Sequence, residues 1–200
     1  MKLVLALLAP PAALLAVLAL PAAAPAAAPL APAAESWAVD PVHSSLVFKV
    51  QHNGVSNFYG MFKEFSGRIS LDADVSKCSV NFTVQAASVD SRSGKRDQHL
   101  NSPDFFSTKE FPTIEFKSSK VEKRGEGWDV TGKLSLHGVS KDVTVKVAQT
   151  GKIAGEKGAL AGFESHFTVK RSDFGMDYGL EKGALGDDVD VTLSVECRQE

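Results

Sequence analysis

The first 34 residues of this 200-residue chain lack aromatic residues, glycine and cysteine, and they carry one charge, on Lys2. They contain 15 alanines and six of the nine prolines, and 27 of the 34 are apolar. The other 166 residues hold all 12 phenylalanines, both tryptophans, both cysteines and all 16 glycines, and about 37% of them are apolar. The chain therefore has two segments of different character, and the second has the size of one domain.

The second segment also lacks a strong charge of either sign. Its 21 basic and 24 acidic side chains give a formal net charge of −3. Nucleic-acid-binding domains carry a clustered basic surface, so we expect no nucleic-acid partner. The sequence has no acidic tail either.

The signature motifs of several enzyme classes are missing as well. The sequence has no G-x-S-x-G nucleophile elbow, no G-x-x-x-x-G-K-[ST] phosphate loop and no G-x-G-x-x-G before a helix. The five histidines, at positions 43, 52, 99, 137 and 166, do not have the spacing of a metal motif. We therefore predict no catalytic residue, no metal site and no required cofactor.

The N-terminal segment has the order of features found in export signals. A positive charge at Lys2 precedes an apolar stretch from residue 3 to residue 20, and small residues follow. We predict a signal peptide plus an Ala/Pro-rich linker at 1–34 and a domain at 35–200 that is exported to the periplasm or the extracellular space. An uncleaved anchor is the alternative, but it needs about 20 apolar residues, and two early prolines break this stretch. We expect no transmembrane anchor after processing.

Alternation of apolar and polar residues dominates from residue 37 onward and is typical of β-strands with one buried face. Eight to ten such strands predict an all-β domain, either a closed antiparallel barrel of about eight strands or a sandwich. A barrel of this size has an interior that side chains fill or that holds one small ligand. The apolar runs are Leu46, Phe48 and Val50; Ile69 and Leu71; Val80, Phe82 and Val84; Ile114 and Phe116; Trp128, Val130, Leu134 and Leu136; Val143, Val145 and Val147; Phe163, Phe167 and Val169; and Val189, Val191, Leu193 and Val195.

One short helical insertion interrupts this pattern. The sequence predicts a helix over residues 94–102, and Ser102 before Pro103 resembles a helix N-cap, which favours an extension through residue 108. Two glycine-containing turns, at residues 124–127 and 137–140, predict tight connections between antiparallel neighbours.

The two cysteines allow two interpretations. Cys78 has the parity of Val84, and Cys197 has the parity of Val195, so both side chains are predicted on apolar strand faces. In an oxidising compartment a Cys78–Cys197 disulfide would contribute roughly 4–5 kcal/mol by closing a long loop. Two separate buried thiols are the alternative.

A charged cluster beside two adjacent phenylalanines is the most distinctive segment. It contains Arg96, Asp97, His99, Phe105 and Phe106. In one interpretation a lid presents the two phenylalanines to a cavity while the charged residues contact a polar head group. In the other, the charged residues tie a helix to the barrel and the phenylalanines plug one end, since buried polar groups usually satisfy one another.

An ordered set of motifs covers almost all of residues 36–197 and resembles the YceI-like family of exported lipid-binding proteins. The matching stretches are VDPVHS at 39–44, VQH at 50–52, GMF at 60–62, SVDS at 88–91, RDQHL at 96–100, DFF at 104–106, FPTIEF at 111–116, TGKLSLHGVSK at 131–141, RSDFGM at 171–176 and GDDV at 186–189. The resemblance implies an extended lipocalin-like antiparallel β-barrel with a long apolar channel. It assigns no role to the cysteine pair.

The resemblance also implies a function, namely a soluble carrier or reservoir that binds a polyisoprenoid or isoprenoid-quinone type of lipid. The candidate ligand-binding residues are Arg96, Asp97, His99, Phe105 and Phe106 around the lid, Phe48, Phe82, Phe116, Leu134 and Phe167 inside the barrel, and Arg171 and Phe174. Two alternatives remain open. One is a structural or stress-related envelope protein with a packed barrel, and the other is a small-lipid enzyme that uses His99 and Asp97.

Overall fold

The computed structural model describes residues 34–155 and 158–200, and strands account for most of them. The predicted signal and linker, except Ala34, lie outside this range. Among the described residues no helix is long and apolar enough to span a membrane. The strands are β1 (Glu35–His52), β2 (Ser56–Phe62), β3 (Phe65–Leu71), β4 (Ser79–Gln85), β5 (Val89–Asp90), β6 (Thr113–Arg124), β7 (Gly127–Leu136), β8 (Val139–Gly155), β9 (Gly158–Lys170) and β10 (Leu185–Gln199). The described residues also contain one α-helix, α1 (Gly94–Leu100).

The strands form a closed antiparallel barrel. The order of neighbours is β10-β9-β8-β7-β6-β4-β3-β1, and pairing of β1 with β10 closes the ring of eight. The two remaining strands extend the wall at one end, where β2 pairs with the second half of β1 and β5 pairs with β2. The predicted eight-stranded barrel with one helical insertion is confirmed. Closure leaves no open edge on the ring, which protects such a strand-rich chain from edge-to-edge association.

Local sequence explains the tight connections. The turn between β7 and β8 consists of His137 and Gly138, and both have positive φ angles, of 51° and 74°. Two successive positive φ angles match the turn type that fits the twist of an antiparallel hairpin. The turn between β6 and β7 begins with Gly125, also at positive φ. Both predicted hairpins are therefore present.

The helical insertion is shorter than the sequence predicts. Helix α1 ends at Leu100, and residues 101–111 form a series of turns instead of a helical extension. Ser102 Oγ accepts a hydrogen bond from the backbone N–H of Asp104 at 3.3 Å, so the serine closes a turn. The N-cap signal was wrong here because serine stabilises turns by the same side-chain-to-backbone bond.

The barrel is packed shut at one end. Trp37 and Cys197 are completely buried there, and Phe163 is 3% exposed. This cluster, which we call the floor, consists of Trp37, Ile69, Ala161, Phe163, Val195 and Cys197. Large side chains that converge from β1, β3, β9 and β10 therefore close this end.

An irregularity near the middle of β1 is held by a polar cluster of Asp40, His43, Glu196 and Arg198, which we call the Asp40 clamp. The register with β10 shifts between Asp40 and Ser45. The Asp40 carboxylate accepts hydrogen bonds from Arg198 Nη2 at 3.0 Å and Nε at 3.1 Å, and it lies 3.1 Å from His43 Nδ1. The hydrogen bonds from His43 and then Arg198 lower the pKa of Asp40 to about 2.

The cysteines are not joined in this structure. Cys78 and Cys197 are both free thiols. Cys78 lies just before β4, where its Sγ accepts a hydrogen bond from the Asp72 N–H at 3.3 Å, while Cys197 belongs to the floor. The disulfide alternative is therefore corrected to two separate thiols, because shared strand parity places side chains on one face without bringing them together.

Candidate ligand cavity

The barrel encloses a cavity of about 650 Å³. Most of its wall consists of inward-facing residues of the strands, as expected from the period-2 pattern. The five barrel residues predicted for the interior all line it, and they are Phe48, Phe82, Phe116, Leu134 and Phe167. Protein ligand sites typically have volumes of roughly 300–1,000 Å³, so this cavity has the size of a binding site.

The cavity runs from the floor to the opposite end of the barrel. Phe163 and Val195 belong both to the floor and to the cavity wall. At the other end the wall includes two exposed residues, Arg96 of α1 and Tyr178, the latter 49% exposed. The cavity therefore reaches the surface there, at what we call the mouth.

The segment between β5 and β6, residues 91–112, lies over the mouth and is called the lid segment below. Its first part is held by a polar network. The Asp97 carboxylate accepts hydrogen bonds from the backbone N–H and the hydroxyl of Ser91. Arg96 donates from Nε to the same hydroxyl at 2.9 Å and from Nη2 to the Ser91 carbonyl at 2.6 Å. Asp97 thus positions the helix and does not line the cavity.

Arg96 contributes to the mouth itself. Its guanidinium carbon lies 4.2 Å from the centroid of the Phe58 ring on β2, which is a cation–π geometry. Among the described residues no carboxylate oxygen lies within 4.0 Å of this guanidinium. The two bonds to Ser91 leave other N–H groups of Arg96 available for a polar ligand group.

Aromatic residues form the inner surface of the lid. Phe105, 9% exposed, and Phe106 both line the cavity, as predicted. The Phe105 ring lies 5.0 Å from the His99 ring and 5.3 Å from the Tyr178 ring, measured between centroids. Tyr178 comes from the loop before β10 and was not predicted, because no local pattern marks its long-range contact with the lid segment.

His99 and Asp97 do not form a pair. His99 Nε2 lies 2.8 Å from Asp104 Oδ2, on the lid segment, while Asp97 binds Ser91. His99 lines the cavity, and Asp97 does not. The arrangement that the enzyme alternative requires is therefore not present in this geometry.

Arg171 and Phe174 have different surroundings. The Arg171 side chain lines the cavity, is 4% exposed, and donates to the carbonyls of Met176 at 2.6 Å, Gly186 at 2.8 Å and Leu185 at 3.2 Å. Burial lowers the pKa of Arg171. Phe174 is 1% exposed and packs in a cluster behind the wall. Arg171 thus fixes the loop before β10, and Phe174 does not line the cavity.

One serine of the wall was also missed. Ser165 lies on β9 with the inward parity of Phe163 and Phe167, and it lines the cavity at 5% exposure. A polar residue at an inward position of an apolar alternation is the signal that marks Ser165. The apolar pattern alone does not include it, because a serine interrupts the run instead of extending it.

One group of potential metal ligands lies outside the cavity. Oxygen and nitrogen atoms of Asp40, His43 and Glu196 lie within 4.8 Å of one another. Arg198 already donates to Asp40 and lies 3.8 Å from Glu196. Because the Arg198 guanidinium already contacts both carboxylates, we interpret this group as part of the Asp40 clamp.

A comparison with known protein families matches residues 37–197 to the YceI-like domain. A UPF0312 protein of Serratia proteamaculans is 40% identical over 156 residues, which are 77% of this chain and 80% of the relative.

Two solved structures show the same fold. BcnA of Burkholderia cenocepacia has a TM-score of 0.70 at 27% identity, covering 79% of this chain and 98% of that one. A polyisoprenoid binding domain from Saccharophagus degradans has a TM-score of 0.62 at 16% identity, covering 82% of this chain and 98% of that one. At that identity the second likeness concerns the fold alone.

Proposed function

The chain belongs to the YceI-like family, and from this premise we propose that it binds a polyisoprenoid or isoprenoid-quinone type of lipid inside its barrel. The observation that carries the proposal is the apolar cavity of about 650 Å³ that runs from a closed floor to an aromatic mouth. An apolar space that extends from the floor to the mouth suits a long apolar chain better than a compact polar substrate.

The driving force for such binding is the removal of apolar surface from water. Each buried methylene group gains about 0.8 kcal/mol, so a chain of several isoprene units gains enough to offset the entropy lost on association and ordering. Phenylalanine, valine and leucine side chains supply most of the wall. Binding of this kind requires no acid, base or nucleophile from the protein.

The role that follows is that of a carrier or reservoir. The signal peptide and linker that the sequence predicts at 1–34 would direct the domain to the periplasm or outside the cell, where water separates lipid surfaces. A barrel that shields an apolar chain from water lowers the free-energy cost of moving a lipid through this water from one lipid surface to another. The separation of His99 from Asp97 argues against the enzyme alternative. The cavity argues against a packed barrel.

The proposal is tested by filling the cavity. Val145 on β8 lines the cavity, and its neighbour Lys146 is exposed on the opposite face of the same strand. We compare the wild type with Val145→Trp and with the matched control Lys146→Trp. Each protein is incubated with an isoprenoid quinone, and native mass spectrometry measures the bound fraction.

We expect the wild type and Lys146→Trp to carry the quinone and Val145→Trp to lose most of it. Organic extraction of the purified protein should also release a lipid. The proposal fails if the wild type shows only its apo mass after incubation, or if both tryptophan variants bind as the wild type does.

A further inference from the structure

A hydroxyl group in the wall of the cavity has no hydrogen-bond partner among the described residues. The side chain of Ser165 is 5% exposed, and its Oγ makes no hydrogen bond to any of the described residues. Buried hydroxyl groups are nearly always hydrogen-bonded, because leaving one unpaired forfeits its bonds with water. An unpaired hydroxyl on a cavity wall therefore points to a bond with something the cavity takes up.

The surroundings of Ser165 are apolar. It pairs with Val147 on β8 and with Leu193 on β10, and both of these residues line the cavity. Phe163 and Phe167 are its inward-facing neighbours on β9. Val147, Leu193, Phe163 and Phe167 are all apolar, so Ser165 supplies the polar side chain of this group of five neighbouring wall residues.

The position of Ser165 along the barrel identifies which end of a ligand it would meet. Ser165 lies two residues from Phe163, which belongs to the floor, and six residues from Arg171, which holds the loop that carries Tyr178 at the mouth. At about 3.3 Å per residue, Arg171 is roughly 20 Å away along the strand. Arg96 and His99, which lie at the mouth, cannot serve a ligand group at that depth.

We propose that Ser165 binds an oxygen atom at the inner end of the lipid. This inference rests on the proposed function and narrows the ligand to an isoprenoid whose buried end carries a hydroxyl or carbonyl group. The Ser165 hydroxyl donates to a carbonyl oxygen, and toward a ligand hydroxyl it acts either as the donor or as the acceptor of one hydrogen bond. The oxygenated end enters first, and the hydrocarbon chain extends toward the mouth.

The test compares two probes of the same carbon skeleton, geranylgeraniol and the hydrocarbon that lacks its hydroxyl. Dissociation constants are measured for the wild type, for Ser165→Ala and for Ser194→Ala. Ser194 is the matched control because it lies on β10 between Leu193 and Val195, which line the cavity, and therefore has the outward parity. Thermal unfolding without ligand shows whether each variant folds.

We expect Ser165→Ala to weaken alcohol binding about 2- to 10-fold, the range of a single net hydrogen bond. Binding of the hydrocarbon should stay the same or improve, and Ser194→Ala should change neither. Ligand-free Ser165→Ala should melt no lower than the wild type, since it loses an unpaired buried hydroxyl.

The inference is overturned if the wild type binds both probes and Ser165→Ala leaves the ratio of the two affinities unchanged. That result would mean that the Ser165 hydroxyl binds water, or that the ligand oxygen lies at the mouth. The proposed function would stand in either case. If the wild type binds neither probe, the proposed function fails and this inference fails with it.

Discussion

The ring of Phe106 meets the ring of Phe62 edge to face, with 5.4 Å between the two centroids. Phe106 belongs to the lid segment and Phe62 to β2, so this contact joins the lid to the barrel wall. The same lid is held at its start by hydrogen bonds between Ser91 and Asp97. Polar bonds therefore anchor one part of the lid, and aromatic packing holds the part that faces the cavity.

Phe106→Ala should speed ligand release. Loss of the ring removes the edge-to-face contact, which contributes about 0.5–1.5 kcal/mol beyond its buried area, and it opens the mouth. We expect the rate of lipid transfer to acceptor vesicles to rise up to about tenfold, since changes in affinity appear mostly in dissociation rates. Tyr59→Ala is the control, because Tyr59 lies on β2 and is 58% exposed. Equal transfer rates for the two variants would contradict this role of the lid.

Arg171→Met should destabilise the domain by at least about 3 kcal/mol. The substitution leaves the carbonyls of Met176, Leu185 and Gly186 without their donor, and each unsatisfied buried group costs about 1–3 kcal/mol. Denaturant unfolding measures the effect. Arg68→Ala is the control, because Arg68 forms an exposed ion pair with Glu200, and such pairs contribute about 0–1 kcal/mol. A loss below 1 kcal/mol in Arg171→Met would show that the loop does not depend on this residue.

Both cysteines should titrate as thiols when the purified protein is unfolded without a reductant. In the folded protein Cys197 should not react at pH 8, because burial, and to a lesser extent Glu196, raises its pKa to about 12. Cys78 is half-buried and should react first. A thiol-specific chromogenic reagent counts the reactive thiols first in the folded protein and then in the unfolded protein. If no thiol is found after unfolding, Cys78 and Cys197 form a disulfide and the two-thiol interpretation is wrong.

Acid should weaken the Asp40 clamp. The folded-state pKa of Asp40 is about 2, below the ordinary value of 3.8, because His43 and Arg198 bond the carboxylate. A lowered pKa means that the clamp contributes its full stability above about pH 4 and loses it as the pH falls toward 2. Asp40→Asn should therefore melt below the wild type at pH 7, and the difference should shrink at pH 2. A difference independent of pH would contradict this assignment.

The sequence allowed most of the barrel to be predicted. Eight apolar runs each fall within one strand of the closed ring, and parity correctly placed residues such as Phe48 and Phe167 on the cavity wall. The short strand β5 was missed because two residues carry no periodicity. The helical extension beyond residue 102 was wrong because Ser102 stabilises a turn as well as a helix start.

The candidate site was harder to predict than the fold. Arg96, His99, Phe105 and Phe106 line the mouth, yet Asp97 in the same motif binds Ser91 and positions the helix. The Tyr178 ring packs against Phe105 of the lid segment, although the two residues are far apart in the sequence. Proximity in sequence does not distinguish a side chain that faces a cavity from one that holds the backbone, because that depends on where the segment packs.

The sequence by itself determined which residues face inward, because the side chains of a strand alternate between its two faces and only one face is apolar. Tertiary structure alone decided that the interior is hollow, that Cys78 and Cys197 stay apart, and that the buried Ser165 hydroxyl has no partner among the described residues. A packed core and an apolar channel have the same alternation. The difference between them comes from closure of β1 on β10, which sets the radius of the ring and leaves more space than the inward side chains fill.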